Sequence, residues 1–210
     1  QSWAKNAKIQ GINLVRNSGF EDGLNGWKQE ISGGTQAVFG IDTNEKYSGK
    51  SSLKARITNV VESTYRIQFK QIGMQLKKGE SYTMRFKAKA DKPREFSVTC
   101  GLDISPWTNF GLSSKIQVSD NWEEYTVAFQ AKEDSYENTR LSFVLGASTG
   151  TVWIDDVEFY TSGEMGLKAD ESLEQSNVER TKWTDRYLYS PRSVADNTEF
   201  YYTIESEYFK

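Results

Sequence analysis

Residues 151–160 run Thr151-Val152-Trp153-Ile154-Asp155-Asp156-Val157-Glu158-Phe159-Tyr160. Val152, Ile154 and Val157 are β-branched and aliphatic, as expected of a strand buried on one face. Asp155 and Asp156 interrupt it. Aspartate is depleted in strands, and a buried carboxylate without compensation is costly, so the pair needs a reason. Two stand open: both acids point into solvent at a strand end, or they help to hold a hard cation through oxygen ligands.

The same kind of alternation recurs along the chain. Tyr82, Met84, Phe86 and Ala88 alternate with Thr83, Arg85 and Lys87 after the turn Lys77-Lys78-Gly79-Glu80. Tyr65, Ile67 and Phe69 face one way while Arg66, Gln68 and Lys70 face the other. Further short strands are read at Ile12–Arg16, Gln36–Ile41, Leu53–Ile57, Phe96–Cys100, Trp122–Gln130 and Leu141–Leu145. Turns separate them and no convincing helix intervenes, a pattern that predicts an all-β, two-sheet antiparallel sandwich of about 150 residues. Between Asn17 and Trp27 the chain is too rich in Gly and Asn to be regular, yet carries Phe20, Leu24 and Trp27. Such a loop is pinned to a core.

Composition excludes several classes. The net charge is only −3 with acids and bases interspersed, so neither nucleic acid nor an anionic membrane is suggested as partner. No apolar run approaches the ~20 residues needed to span a bilayer. The segment Gln1-Ser2-Trp3-Ala4-Lys5 lacks an apolar signal core, so a signal peptide is already removed or the chain begins inside a longer protein. There is no histidine and a single cysteine, Cys100. That removes the commonest general base, Ser-His and Cys-His nucleophile pairs, and any internal disulfide. Aromatic residues reach 13%, which means a large core or flat rings set out for a ligand to stack on.

Six blocks in order then carry a family likeness: Asn17-Ser18-Gly19-Phe20-Glu21 with Gly26-Trp27; Tyr47-Ser48-Gly49-Lys50-Ser51-Ser52-Leu53; Gln68 and Gln71; Leu76 to Thr83 with Phe86 and Ala88; Trp122-Glu123-Glu124-Tyr125; and Gly146 with Val152 to Val157. Over residues 12–161 the chain resembles the jelly-roll carbohydrate-binding modules of the family 4, 9, 16 and 22 group. The resemblance implies a structural calcium joining the first loop to the last strand. Its carboxylates would be Glu21 and Asp155, with backbone oxygens from around Gly19 and Lys50, and with Asp156 the lesser candidate. Calcium takes six to eight oxygens, many from backbone carbonyls, so it can tie together segments distant in sequence.

A sugar ring offers an apolar face and a rim of hydroxyls, so its binders combine aromatic platforms with planar hydrogen-bonders. Gln68 is the first candidate, followed by Arg66 and Gln71, all from one strand of the concave sheet. Trp107 lies in the polar loop Ser105-Pro106-Trp107-Thr108-Asn109, with nothing apolar in register around it, and suits a stacking platform. Trp27 either plugs the sandwich edge or lines the groove, and Gln130 is placed within reach of the same sheet. Trp122 is read as core and Trp153 as structural. Glycoside cleavage needs paired acids roughly 5–10 Å apart across the scissile bond, and calcium ligation would occupy Glu21 and Asp155, so residues 12–161 are not expected to be an enzyme.

Residues 1–11 read as a lead-in and 162–210 as a linker followed by an amphipathic helix. Phe200, Tyr201, Ile204, Tyr208 and Phe209 mark its apolar face. That helix either packs on the sandwich or is the edge of a catalytic domain, since it is similar to a barrel helix of some glycoside hydrolases. The whole is expected to be an extracellular or cell-surface module that holds a β-glucan, mannan or xylan type of polysaccharide and targets a glycoside hydrolase of the same polypeptide. The rival expectation is a structural or interaction sandwich that binds no sugar.

Overall fold

The computed structural model describes residues 13–161, all within one compact unit of residues 10–166. The lead-in, the linker and the C-terminal helix read from the sequence lie outside the described residues. Ten strands follow in chain order: β1 (Lys28–Ile31), β2 (Gln36–Asp42), β3 (Ser52–Asn59), β4 (Ile67–Ile72), β5 (Ser81–Ala90), β6 (Arg94–Leu102), β7 (Asn109–Val118), β8 (Glu123–Gln130), β9 (Thr139–Val144) and β10 (Gly150–Thr161). They form two five-stranded sheets, ordered β1-β4-β9-β6-β7 and β2-β3-β10-β5-β8. Every pairing is antiparallel. The fold is therefore the all-β sandwich expected from the alternation.

The period of two explains the core. Tyr82, Met84, Phe86 and Ala88 of β5 are buried, as are Ile67 and Phe69 of β4 and Val98 and Cys100 of β6. Aromatic rings dominate where the sheets meet. Phe143 stands edge-on to Phe86 at 5.1 Å, and Tyr82 stacks on Phe159 at 5.7 Å. Pairs in these geometries add about 0.5–1.5 kcal/mol beyond the area they bury.

Strand β10 changes phase in its middle. Val152 and Ile154 face inward, and so do Val157 and Phe159, which an unbroken alternation cannot achieve. The register shifts between Asp155 and Glu158, with Asp156 at φ +47°. This bulge absorbs the extra residue and keeps both halves of the strand on the core.

Three local readings are corrected. Residues 13–16 are not a strand; Leu14 N–H donates to the Phe159 carbonyl, while the Asn13 side chain bonds Phe159 and Val157 in place of a ladder. β1 and β7 went unread, because one is short and the other lies behind an irregular loop. Tyr65 does not face inward with Ile67, because Thr64–Arg66 form a 3₁₀ turn before β4 begins.

Candidate functional site

The outer face of the β1-β4-β9-β6-β7 sheet is polar row by row. One row reads Glu30, Gln68, Val144, Ser97, Lys115, and the next Lys28, Lys70, Ser142, Thr99, Ser113. The side chains form a connected network. Ser142 Oγ donates to Gln68 Oε1 (2.8 Å), and Gln68 Nε2 donates to Glu30 Oε1 (3.0 Å) and to the Tyr65 carbonyl (3.0 Å). Lys70 Nζ sits between Glu30 Oε1 (2.8 Å) and Asp103 Oδ1 (2.6 Å). Lys70 is 7% exposed, and two carboxylates compensate its burial. A fully partnered network of this kind is rigid.

Above these rows lies a cavity of about 250 Å³, lined by Gln68, Ser97, Thr99, Ser113 and Arg140 and bordered by Tyr65 and Trp107. Tyr65 is 55% exposed and Trp107 63% exposed. The first precedes β4 and the second precedes β7, so the rings mark opposite strand ends of one hollow. The Arg66 guanidinium lies 5.2 Å from the Tyr65 ring centroid, a cation–π contact that steadies the ring. Large rings left this open on a sheet face are built for contact rather than for the core.

The expected sugar contacts are thus divided. Gln68 and Trp107 line one cavity, and Arg66 stands behind Tyr65. Three others lie elsewhere. Trp27, 7% exposed, is core: its ring stacks on Phe69 at 5.1 Å and its indole N–H donates to the Asn17 carbonyl. Gln71 has the parity of Ile67 and Phe69, so it faces inward. Its amide clamps the Arg16 backbone through both its oxygen (2.8 Å) and its nitrogen (3.0 Å). Gln130 is on β8, the edge of the other sheet, and donates to the Gly79 carbonyl. Tyr65 was missed, although the turn-forming run Glu62-Ser63-Thr64 before it signals a break in the strand. Trp122 is not core: it precedes β8, is half-buried, donates its indole N–H to Glu45 Oε1 (3.3 Å) and packs 6.0 Å from the Tyr47 ring. Trp153 is half-buried on the outer face of the second sheet, where Lys54 and Lys89 flank its ring.

At the β10 bulge three acids gather. Asp155 is fully buried; its carboxylate accepts from the N–H groups of Tyr47 (2.9 Å), Ser48 (3.1 Å) and Asp156 (2.9 Å). Burial raises its pKa against the pull of those donors. Glu21 accepts from the Lys50 N–H at 2.8 and 3.1 Å and lies 2.9 Å from the Ser51 hydroxyl. That backbone donor, with Ser51, holds it below the usual carboxylate range. Gly19 lies against the acids, 3.6 Å from Asp156 Oδ1 and 3.9 Å from Asp155 Oδ1 as measured from a Cβ built there, a distance of ordinary contact. At Gly49, φ +58°, a Cβ would collide with the Glu21 carboxylate. All four residues expected around calcium therefore come together, with Lys50 entering through its N–H.

The donor set suits calcium in kind. The Glu21 and Asp155 side chains offer only carboxylate oxygens, each already accepting from backbone N–H groups, and among the described residues no salt bridge reaches Asp155. Among those residues, however, no three metal-binding side chains close on one point, so an ion here would have to complete its shell with backbone carbonyls.

A two-sheet sandwich with exposed aromatic rings over a polar, hydrogen-bonded sheet face has the build of a carbohydrate-binding module. Residues 12–151 match the model of the carbohydrate binding domain family CBM_4_9, and the chain belongs to that family. A family 4 carbohydrate-binding module is similar over 70% of this chain and 99% of its own, at 25% identity and a TM-score of 0.61. The N-terminal cellulose-binding domain of Cellulomonas fimi β-1,4-glucanase C shares the fold at 19% identity, a TM-score of 0.53 and coverage of 71% and 97%. The CBM22-1 xylan-binding domain from Paenibacillus barcinonensis Xyn10C does so at 16% identity, a TM-score of 0.55 and coverage of 74% and 97%. No curated protein sequence matches the chain.

Proposed function

We propose that the face of the β1-β4-β9-β6-β7 sheet holds a β-linked polysaccharide chain, of β-glucan, mannan or xylan type, without cleaving it. The observation that carries this reading is the pair of exposed rings, Tyr65 and Trp107, bordering one cavity over a floor of hydrogen-bonding side chains. Rings supply stacking surface for pyranose faces, while Ser97, Thr99, Ser113 and Arg140 meet the hydroxyl rim. Gln68 acts mainly as a brace, since its amide is engaged with Glu30, Tyr65 and Ser142.

The module spans residues 12–161 and brings a glycoside hydrolase of the same polypeptide to substrate outside the cell or at its surface. Glu21 and Asp155, with backbone oxygens near Gly19 and Lys50, hold a calcium that joins the first loop to β10. The like-folded neighbours named above support the fold, and the glycan reading rests on the site.

Affinity electrophoresis against soluble β-glucan, mannan and xylan tests it. Retardation on one of them is expected, and Trp107→Ala and Tyr65→Ala should each weaken it about 30-fold, the equivalent of a hot-spot loss of about 2 kcal/mol. Retardation on none, with both variants identical to wild type, would turn the reading to a structural or interaction sandwich.

A further inference from the structure

We infer that the cavity bordered by Tyr65 and Trp107 is built for a glycan bearing carboxylate groups, such as a xylan-type chain with uronic acid substituents. This rests on the proposed glycan-binding function and narrows its ligand. Among the described residues, Arg140 is the one charged side chain that lines the cavity, and no carboxylate lines it. Its neighbours there are hydroxyls of Thr64, Ser97, Thr99, Thr108 and Ser113. The two side-chain amides are largely committed within the protein. Gln68 is engaged with Glu30, Tyr65 and Ser142, and Asn109 gives its NH₂ to the Leu112 carbonyl and takes the Gly111 N–H.

Neutral sugar hydroxyls donate as well as accept, and the Ser and Thr hydroxyls of the cavity can answer both, so the neutral rim does not by itself require Arg140. A uronate only accepts, and a guanidinium only donates, in a fork that matches a carboxylate. Arg140 is anchored from below, with Nη1 donating to the Leu102 carbonyl and lying 3.6 Å from Asp103 Oδ1. Asp103 is itself drawn to Lys70 at 2.6 Å, so it compensates Arg140 only in part. Arg140 Nε and Thr99 Oγ1 are shielded from water yet have no partner among the described residues. Both belong to side chains that line the cavity, so its floor is not fully satisfied from within the protein.

The test is calorimetric titration of the wild-type chain with a glucuronate-substituted xylan and with the same polymer after reduction of its carboxyl groups. The acidic polymer should bind about tenfold tighter, as a charge-assisted pair requires, and added salt should shrink that difference. Arg140→Gln should reduce affinity for the acidic polymer to that for the reduced one. Equal wild-type affinities, or an equal loss on both polymers in the variant, would overturn this inference and leave the glycan-binding function standing. Binding of neither polymer, nor of neutral β-glucan and mannan, would overturn both. The wild-type comparison decides the matter even if Arg140→Gln fails to fold.

Discussion

Tryptophans 27 and 107 show how environment assigns a residue its task. Trp27 is wedged among Phe20, Phe69 and Phe143, with centroid distances of 5.4, 5.1 and 6.2 Å. Trp107 stands in the loop between β6 and β7, held by its own N–H to the Ile104 carbonyl. Trp27→Ala should cost about 3–5 kcal/mol in urea unfolding, the range for emptying a buried aromatic site. Trp107→Ala should leave the unfolding midpoint almost unchanged while weakening glycan binding. Reversal of the two effects would mean that the assignments are exchanged.

At the scale of the element, β10 is the strand on which the rest depends. It pairs with β3 on one side and β5 on the other, and its bulge faces the loop carrying Gly19 and the turn at Tyr47–Ser51. Inserting one alanine between Asp156 and Val157 would add a residue that the bulge does not absorb and flip Val157 and Phe159 to the outer face. The variant is expected to lose cooperative unfolding and near-ultraviolet circular dichroism. A well-folded insertion variant would show that the bulge can take up a second residue and that register in β10 is not fixed by the core.

The two outer faces of the molecule are organised differently. On the β2-β3-β10-β5-β8 sheet the charges cancel in pairs: Lys54 with Asp42, Arg85 with Glu158, Lys87 with Glu124, Lys89 with Glu45. Asp42 is the strongest acid there, because the Trp153 indole N–H (3.0 Å) and then backbone N–H groups of Glu45 and Asn44 hold it below the usual carboxylate range despite its burial. A depressed carboxylate stabilises the fold above its unfolded value, near 3.9, and that contribution is lost as the pH falls through the folded value. Wild type should therefore exceed Asp42→Asn in stability at neutral pH, with the gap closing below about pH 4. A gap that stays constant on acidification would mean that the carboxylate is not depressed. The proposed calcium site at the β10 bulge makes its own prediction. Chelation should lower the melting temperature, calcium should restore it, and Asp155→Asn should abolish the response, since a ligand bound only to the native state stabilises it by mass action. An unchanged melting temperature in chelator would leave the backbone N–H groups as the sole partners of Asp155.

Alternation alone determined the all-β class, the strands from β2 to β6 and from β8 to β10, and most of the core, because a period of two reports which face is dry. The likeness of six short blocks pointed to the family, and the segments carrying Gly19, Glu21, Lys50 and Asp155 do lie together at the β10 bulge. Gln71 was legible too, since its parity with Ile67 and Phe69 turns it inward. Only the tertiary structure decided what borders the cavity. Tyr65 and Trp107 lie about 40 residues apart in turns, and nothing in local pattern says that β4 and β6 share a sheet with β9 between them. Trp27 and Trp107 are chemically identical, and burial is a property of what surrounds a ring rather than of the ring itself. Arg140 was invisible for the same reason: its place in the cavity depends on β9 running between β4 and β6, a pairing made across residues far apart in the chain.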